Sequence, residues 1–307
     1  MHEFLFACPI CRTPLTPLDE VGQRCPVDET IYECRDGIWR FLTPDRQAYF
    51  DRFMREYQIV RQAERRGSTD DGYYRALPFA DLSGRFTADW QIRARSFSAF
   101  QRDVVQPLEN HLQRPLRVID LGAGNGWLSY RLAQRGHAVA AIDLLTNATD
   151  GLGAHVHYDA AFTPIQAEFD RLPFVGDQID LVIFNASLHY STHYETTFSE
   201  ALRVLRSDGL LVILDSPLYR SADSGAQMVR EREAAFTRTY GFPSNTLPSE
   251  NYLTEQRLHE LSEMLHLRWT IIQPFYGWRW ALRPLKARLR RRREPARFAV
   301  IVGRRWT

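Results

Sequence analysis

The stretch that most limits what this chain can fold into is VIDLGAGNGW, residues 118–127. A short apolar run leads into Asp120, Gly122, Gly124 and Gly126 follow at alternate positions, and a helix-like pattern begins at Trp127. Glycines so spaced allow positive φ and let backbone N–H groups come close to a ligand. A strand, a glycine turn and a helix start, in that order, make a site for a nucleotide-bearing cofactor. In folds with the G-x-G-x-x-G pattern the helix start carries a pyrophosphate. Here the spacing is G-x-G-x-G, and the position that would complete the longer pattern is the bulky Trp127. The acid at Asp120, two residues before the first glycine, is a poor neighbour for a pyrophosphate. It suits a cofactor with positive charge, such as a sulfonium and an α-amino group.

The rest of the chain supplies the sheet that such a turn needs. Candidate strands are 116–122, 137–144, 154–159, 179–186, 210–216, 267–275 and 297–305. Helical patterns at WLSYRLAQRG, YETTFSEALRVLR and TEQRLHELSEMLH alternate with apolar runs. Short apolar runs alternating with helices predict βαβ units and a buried parallel sheet. The last two runs flank the basic stretch 283–293, which predicts an antiparallel, hairpin-like end. Asp143 closes the second run, 19 residues after Gly124, where a carboxylate can accept ribose hydroxyls. Glu168, or failing that Asp170, in QAEFDRLPF can reach an adenine or the loop around it.

All four cysteines, Cys8, Cys11, Cys25 and Cys34, lie in the first 34 residues. Such clustering points to a metal more than to disulfides. Cys8 and Cys11 form a C-x-x-C knuckle, but a second knuckle starting at Cys25 would need a cysteine where Asp28 stands. The four cysteines make a tetrahedral zinc set if a hairpin returns Cys34; Asp28 or Glu29 is the alternative fourth ligand. So short a segment buries little apolar surface, and a metal would supply the missing stability. The chain thus divides into a small module at 1–43, a helical cap or linker at 44–113 and a larger domain at 114–307 with an insertion at 216–252. Thr43 and Pro44 start a helix predicted over 44–66. Tyr73-Tyr74 and Trp90-x-x-Arg93 are candidate lid residues, and Tyr219, Phe236 and Tyr240 are aromatics of the insertion.

DLGAGNG, the acid at Asp143, the acid four residues before LPF, the strand end IDLVIFNASLHY and the run ALRVLRSDGLLVI occur in an order that resembles class I S-adenosylmethionine-dependent methyltransferases of the type 11-like group. The resemblance is strong over 115–215 and looser to 307. It implies an α/β, Rossmann-like sheet of seven mostly parallel strands with an antiparallel last strand. It implies that Asp120 lies near the methionine part of the cofactor and that the turn Gly122, Ala123, Gly124, Asn125, Gly126 runs along methionine and ribose. It further implies that Asp143 and Leu144 hold the ribose, Glu168 and Phe169 border the adenine, and Asn185 touches the methionine end. The first 43 residues resemble the zinc-ribbon segments that precede some bacterial methyltransferases, among them the 23S ribosomal RNA guanine methyltransferases.

Methyl transfer from a sulfonium is an in-line displacement in which the enzyme positions the partners and removes a proton if one must leave. His189, just past the fourth strand, is the candidate base. The expected acceptor is a small molecule, such as a lipid, quinone or natural product. The alternative is RNA, because residues 281–307 hold ten Lys/Arg and one acid while the whole chain has a net charge of only +2. A third possibility is a non-catalytic, cofactor-binding partner subunit. Among the 307 residues no apolar stretch approaches the roughly 20 needed to span a membrane, and the N-terminus lacks the pattern of a secretory signal, so a cytoplasmic protein is expected.

Overall fold

The protein is described by a computed structural model over residues 4–306. Four short strands come first: β1 (Thr16–Pro17), β2 (Gly22–Arg24), β3 (Ile31–Arg35) and β4 (Ile38–Arg40). Helices α1 (Pro44–Ala63), α2 (Asp71–Ala76), α3 (Thr87–Phe100) and α4 (Gln106–Leu112) follow, with a π-helical turn at Gln101–Val105 joining the last two. Then come β5 (Arg117–Leu121), α5 (Trp127–Ala133), β6 (Ala138–Asp143), β7 (Thr163–Gln166), β8 (Ile179–Asn185), α6 (Tyr194–Val204) and β9 (Leu205–Leu214). The chain ends with β10 (Leu218–Tyr219), α7 (Ala222–Tyr240), β11 (Leu253–Thr254), α8 (Glu255–Leu265), β12 (Leu267–Ile272), α9 (Trp278–Ala281), α10 (Arg283–Leu289) and β13 (Val300–Arg305).

The main sheet has the order β1-β2-β3-β4-β7-β6-β5-β8-β9-β13-β12. From β4 to β9 every neighbouring pair is parallel, and β13 inserts antiparallel between β9 and β12. The seven strands from β7 to β12 are the α/β, Rossmann-like arrangement expected from the sequence. Their centre reads as continuous apolar runs because both faces are covered; every residue of β8 is buried. One apolar cluster joins Phe184, Phe198 and Leu261, and the other joins Phe97, Trp127 and Leu181.

Two expectations are corrected and one is borne out with an added helix. Residues 154–159 are not the third strand; Leu152–His157 is a 3-10 helix and the strand is Thr163–Gln166. At four residues with a proline at Pro164, that strand carries little periodic signal. The antiparallel, hairpin-like end is present, β12 pairing with β13, and within its connection Arg283–Leu289 is helical. The first 43 residues share the sheet with the rest of the chain, since β4 pairs with β7 through Trp39↔Ile165 and Arg40↔Gln166. Phe6 joins the two parts, its ring 5.2 Å from Trp39 and 5.9 Å from Phe174.

Helix α1 begins where the sequence predicts, with Pro44 in its first turn after Thr43. It lays Phe50, Phe53 and Met54 against Leu145, just past the end of β6. The helix therefore crosses above the C-terminal ends of the central strands, where open α/β sheets bind their ligands.

Candidate functional site

The glycine turn leaves β5 with Gly122, Gly124 and Gly126 all at positive φ, +76°, +56° and +82°. At Gly122 a Cβ would stand 2.3 Å from the Cβ of Ser187, so only glycine lets the turn pass beneath the β8 loop. The amides of Gly122 and Ala123 donate to the carbonyl of Ile142, at 2.8 and 2.9 Å. Asp143 binds the turn from its other side: Oδ2 accepts from the Gly124 N–H at 2.8 Å and Oδ1 from the Leu145 N–H at 2.9 Å. Burial pushes this carboxyl upward, and those two N–H groups pull it back.

Above the turn lies a cavity of about 370 Å³. Gly122, Ala123, Gly124, Asn125, Asp143, Leu144, Glu168, Phe169, Asn185 and His189 all line it. Gly126 does not line it; a Cβ there would strike the Phe162 ring at 2.6 Å, so this glycine serves the packing of the turn. Asp120 also stays behind the wall, only 1% exposed. Its Oδ2 accepts from the Ser129 hydroxyl at 2.9 Å, and its buried Oδ1 has no hydrogen-bond partner. Burial and the nearby Asp143 raise this carboxyl to about 7.

Trp127 packs edge-on against Trp90 and Phe97 of α3 and lines the cavity as well. Of the other lid candidates, Tyr73 is on the wall. Tyr74 is a clamp, its single hydroxyl hydrogen shared between the carbonyls of Ser68 and Thr149, each 2.6 Å away. From the 216–252 segment Pro217 and Leu247 reach the cavity, while Tyr219, Phe236 and Tyr240 do not.

The cover holds side chains that the sequence reading missed. Arg46 of α1 donates to Glu168 with both arms, at 2.8 and 2.5 Å, and Glu168 is only 5% exposed. Arg61, four turns later, makes a two-armed pair with Asp150. Tyr57 and Phe53 of α1 meet Tyr190 from the β8 loop, with ring centres 5.9 and 5.7 Å apart. A run of aromatics at helical spacing was visible in the sequence, but nothing there indicated which carboxylates the arginines would meet.

His189 sits against Tyr190, and its buried Nδ1 has no partner. Burial, with Arg232 and Arg93 nearby, lowers this imidazole to about 3. It is neutral at physiological pH and a weak proton acceptor. Two residues that border the cavity at strand ends, Ala186 and Asp215, hold positive φ values of +53° and +50° without being glycine. Such strain gathers at functional sites.

In the cysteine segment, one ligand atom each from Cys8, Cys11, Cys25 and Asp28 lie within 4.8 Å of one another. Three sulfurs and one carboxylate at such spacing fit a tetrahedral zinc site. Asp28, held at about 2 chiefly by the Thr30 N–H, is the fourth member, and Cys34 is not part of the group. Cys34 lies two residues along β3 from Tyr32, whose hydroxyl is 3.3 Å from the Cys8 sulfur. A two-residue step moves a side chain about 6.6 Å along the strand, out of reach of the cluster.

A family profile described as "Methyltransferase domain" matches residues 119–213, from within β5 to within β9. Over that segment the chain is similar to class I S-adenosylmethionine-dependent methyltransferases. A malonyl-[acyl-carrier protein] O-methyltransferase of Geobacter sulfurreducens is 32% identical over 125 residues, 38% of this chain and 45% of that one. The protein of the same name from Hahella chejuensis is 31% identical over 149 residues, 44% of this chain and 53% of that one. The chain spans about half the length of these curated relatives. Among solved structures, 1,6-didemethyltoxoflavin-N1-methyltransferase of Burkholderia thailandensis, with S-adenosylhomocysteine bound, is 18% identical, covering 95% of this chain and 99% of that one, with a TM-score of 0.48. The matched segment carries the glycine turn, Asp143, Glu168 and Asn185, whereas α1 and α3 lie before it. No helix among the described residues is long and apolar enough to cross a membrane.

Proposed function

We propose that the protein transfers a methyl group from S-adenosylmethionine to a small-molecule acceptor held between the glycine turn and the helical cover. One observation carries this reading. One buried acceptor oxygen on the cavity wall, Asn185 Oδ1 at the end of β8, has no partner, although buried polar atoms are nearly always paired. An α-ammonium group is a donor that suits it, and a pyrophosphate is not. When bound, the cofactor supplies a methyl group activated on a sulfonium sulfur. The residues of this chain do the rest. Asp143, its oxygens already aimed by the Gly124 and Leu145 amides, accepts the ribose hydroxyls; Leu144, Glu168 and Phe169 border the adenine, with Glu168 fixed by Arg46. Ala123, Asn125 and Trp127 line the path between them.

The aromatic side of α1 and the β8 loop keep water from the reacting groups, which strengthens every charge interaction inside. His189, neutral and weakly basic, acts as a hydrogen-bond partner for the acceptor rather than as a strong base. The cover fits an acceptor small enough for an enclosed cavity. Two arginines near the basic segment, Arg293 and Arg297, are engaged with Glu231 and Glu255, which leaves less of it free for RNA.

In this reading residues 44–113 are the cover and residues 1–43 a zinc-stabilised extension of the sheet of 114–307. Cys8, Cys11, Cys25 and Asp28 would hold the zinc, a structural ion distant in chemistry from the methyl transfer.

S-adenosylhomocysteine is expected to raise the melting temperature, and Asp143→Ala to abolish that shift. Stabilisation by NADH instead would refute the cofactor assignment. Labelled S-adenosylmethionine incubated with fractionated cell extract should mark a low-molecular-weight fraction; label in the RNA fraction would refute the acceptor class.

A further inference from the structure

Arg93 stands out among the charged groups of the cavity wall. Of its other arginines, Arg46 is paired with Glu168, Arg61 with Asp150, and Arg66 with Glu64. Arg93 makes no hydrogen bond and no ion pair among the described residues; its guanidinium lies over the Trp90 ring, 5.1 Å from the centre. The carboxylate whose charge acts on it, Asp215, accepts from the Ser96 hydroxyl at 2.5 Å. A second donor on the same face of α3, one turn earlier, is also unused: the buried Nε1–H of Trp90 has no partner. Trp90 and Arg93 both line the cavity. A helix face that offers only donors, one of them an unpaired cation, needs an anionic acceptor to satisfy it.

We infer that Arg93, with the Trp90 indole N–H, anchors a carboxylate of the methyl acceptor, so that this enzyme's substrate class is small organic acids. The inference rests on the function proposed above. It also accounts for the weak basicity of His189, because a carboxylate acceptor has no proton to give up. Asp215 acts on Arg93 through charge alone, without an ion pair, so an anionic acceptor would give the guanidinium the direct partner it lacks. Were the methyl group to pass to the carboxylate itself, one carboxylate oxygen would form the new O–CH₃ bond as the S–CH₃ bond breaks. The electron pair of the broken bond stays on sulfur, and the products are a neutral ester and S-adenosylhomocysteine.

The test uses the full chain loaded with S-adenosylhomocysteine and three acid probes: malonyl-N-acetylcysteamine, octanoate and benzoate, each beside its methyl ester. Calorimetry should show at least one acid binding about tenfold or more tighter than its ester. Arg93→Gln should remove that preference while S-adenosylhomocysteine affinity stays within about twofold, and Arg93→Lys should restore part of it. Loss of cofactor affinity in Arg93→Gln to the same extent would overturn the inference, assigning the guanidinium to the cofactor's own carboxylate. Equal binding of acids and esters, or no binding of any acid, would overturn it too. The proposed function fails separately, if the unaltered protein does not bind S-adenosylhomocysteine.

Discussion

On the floor of the cavity, Asp143 reaches Gly124 across 19 residues of chain and is fixed by backbone amides. On the cover, Arg46 and Arg61 reach carboxylates 122 and 89 residues away and are fixed by the tips of long side chains. The floor is a matter of φ angles and close approach, and tolerates almost no added atom. The cover is a matter of charge pairing, and can open if a pair is lost. A methyl-transfer site needs both: a rigid cradle for a common cofactor, and a detachable wall through which cofactor and acceptor can pass.

The sharpest way to break the comparison is at Gly122. Gly122→Ala puts a Cβ 2.3 Å from Ser187 at a φ of +76°. We expect S-adenosylhomocysteine binding to be lost altogether in calorimetry, with a lowered melting temperature. Retained binding would mean that the floor is as adaptable as the cover. The next effect is at the cover. Arg46→Met leaves buried Glu168 with only the longer 3.6 Å contact to Arg171, at a cost of about 2–3 kcal/mol, below the range for wholly buried pairs because Arg46 is partly exposed. Denaturant titration should show that loss, and adding Glu168→Gln should recover part of it. If Arg46→Met changes nothing, α1 is held by its aromatics alone.

A third test concerns the zinc cluster. Cys25→Ser should remove bound zinc and lower the melting temperature, whereas Cys34→Ser should leave one zinc per chain by elemental analysis. Zinc lost in both variants would restore the four-cysteine set. The smallest effect is one of pH. Asp120 has a folded value of about 7, well above its ordinary 3.8, so the fold loses stability as pH rises from about 4 to 7, and the cost is complete above 7 and absent below about 4. Asp120→Asn should therefore raise the melting temperature of the ligand-free protein at pH 8 and leave it unchanged at pH 4.

The same contrast explains what the sequence let one read. The floor is legible because its constraints are local: three glycines, an acid before them and an acid at the next strand end stand in a fixed order. The third strand was not legible, since four residues that include Pro164 have no room for a pattern, while the His155 and His157 region imitates one. The cover was legible only as an amphipathic helix. Its partners, Glu168 and Asp150, depend on how helix and sheet meet, and no spacing in the chain encodes that. Arg93 was visible as part of a lid, but its lack of a partner is a fact about the surroundings. The fourth member of the cysteine cluster turned on strand geometry, because β3 carries Cys34 past the cluster instead of into it.

The parallel pairing of β4 with β7 has a practical consequence for anyone trimming the protein. A shortened form starting at Pro44 would look sensible from the matched family segment alone. It would strip the neighbour from β7 and bare the rings of Phe174 and its surroundings, now covered by Phe6, Trp39 and Phe41. An open strand edge beside an apolar patch is a template for aggregation. The cysteine-bearing segment is thus the selvedge of this sheet, the finished border that stops it from joining the next.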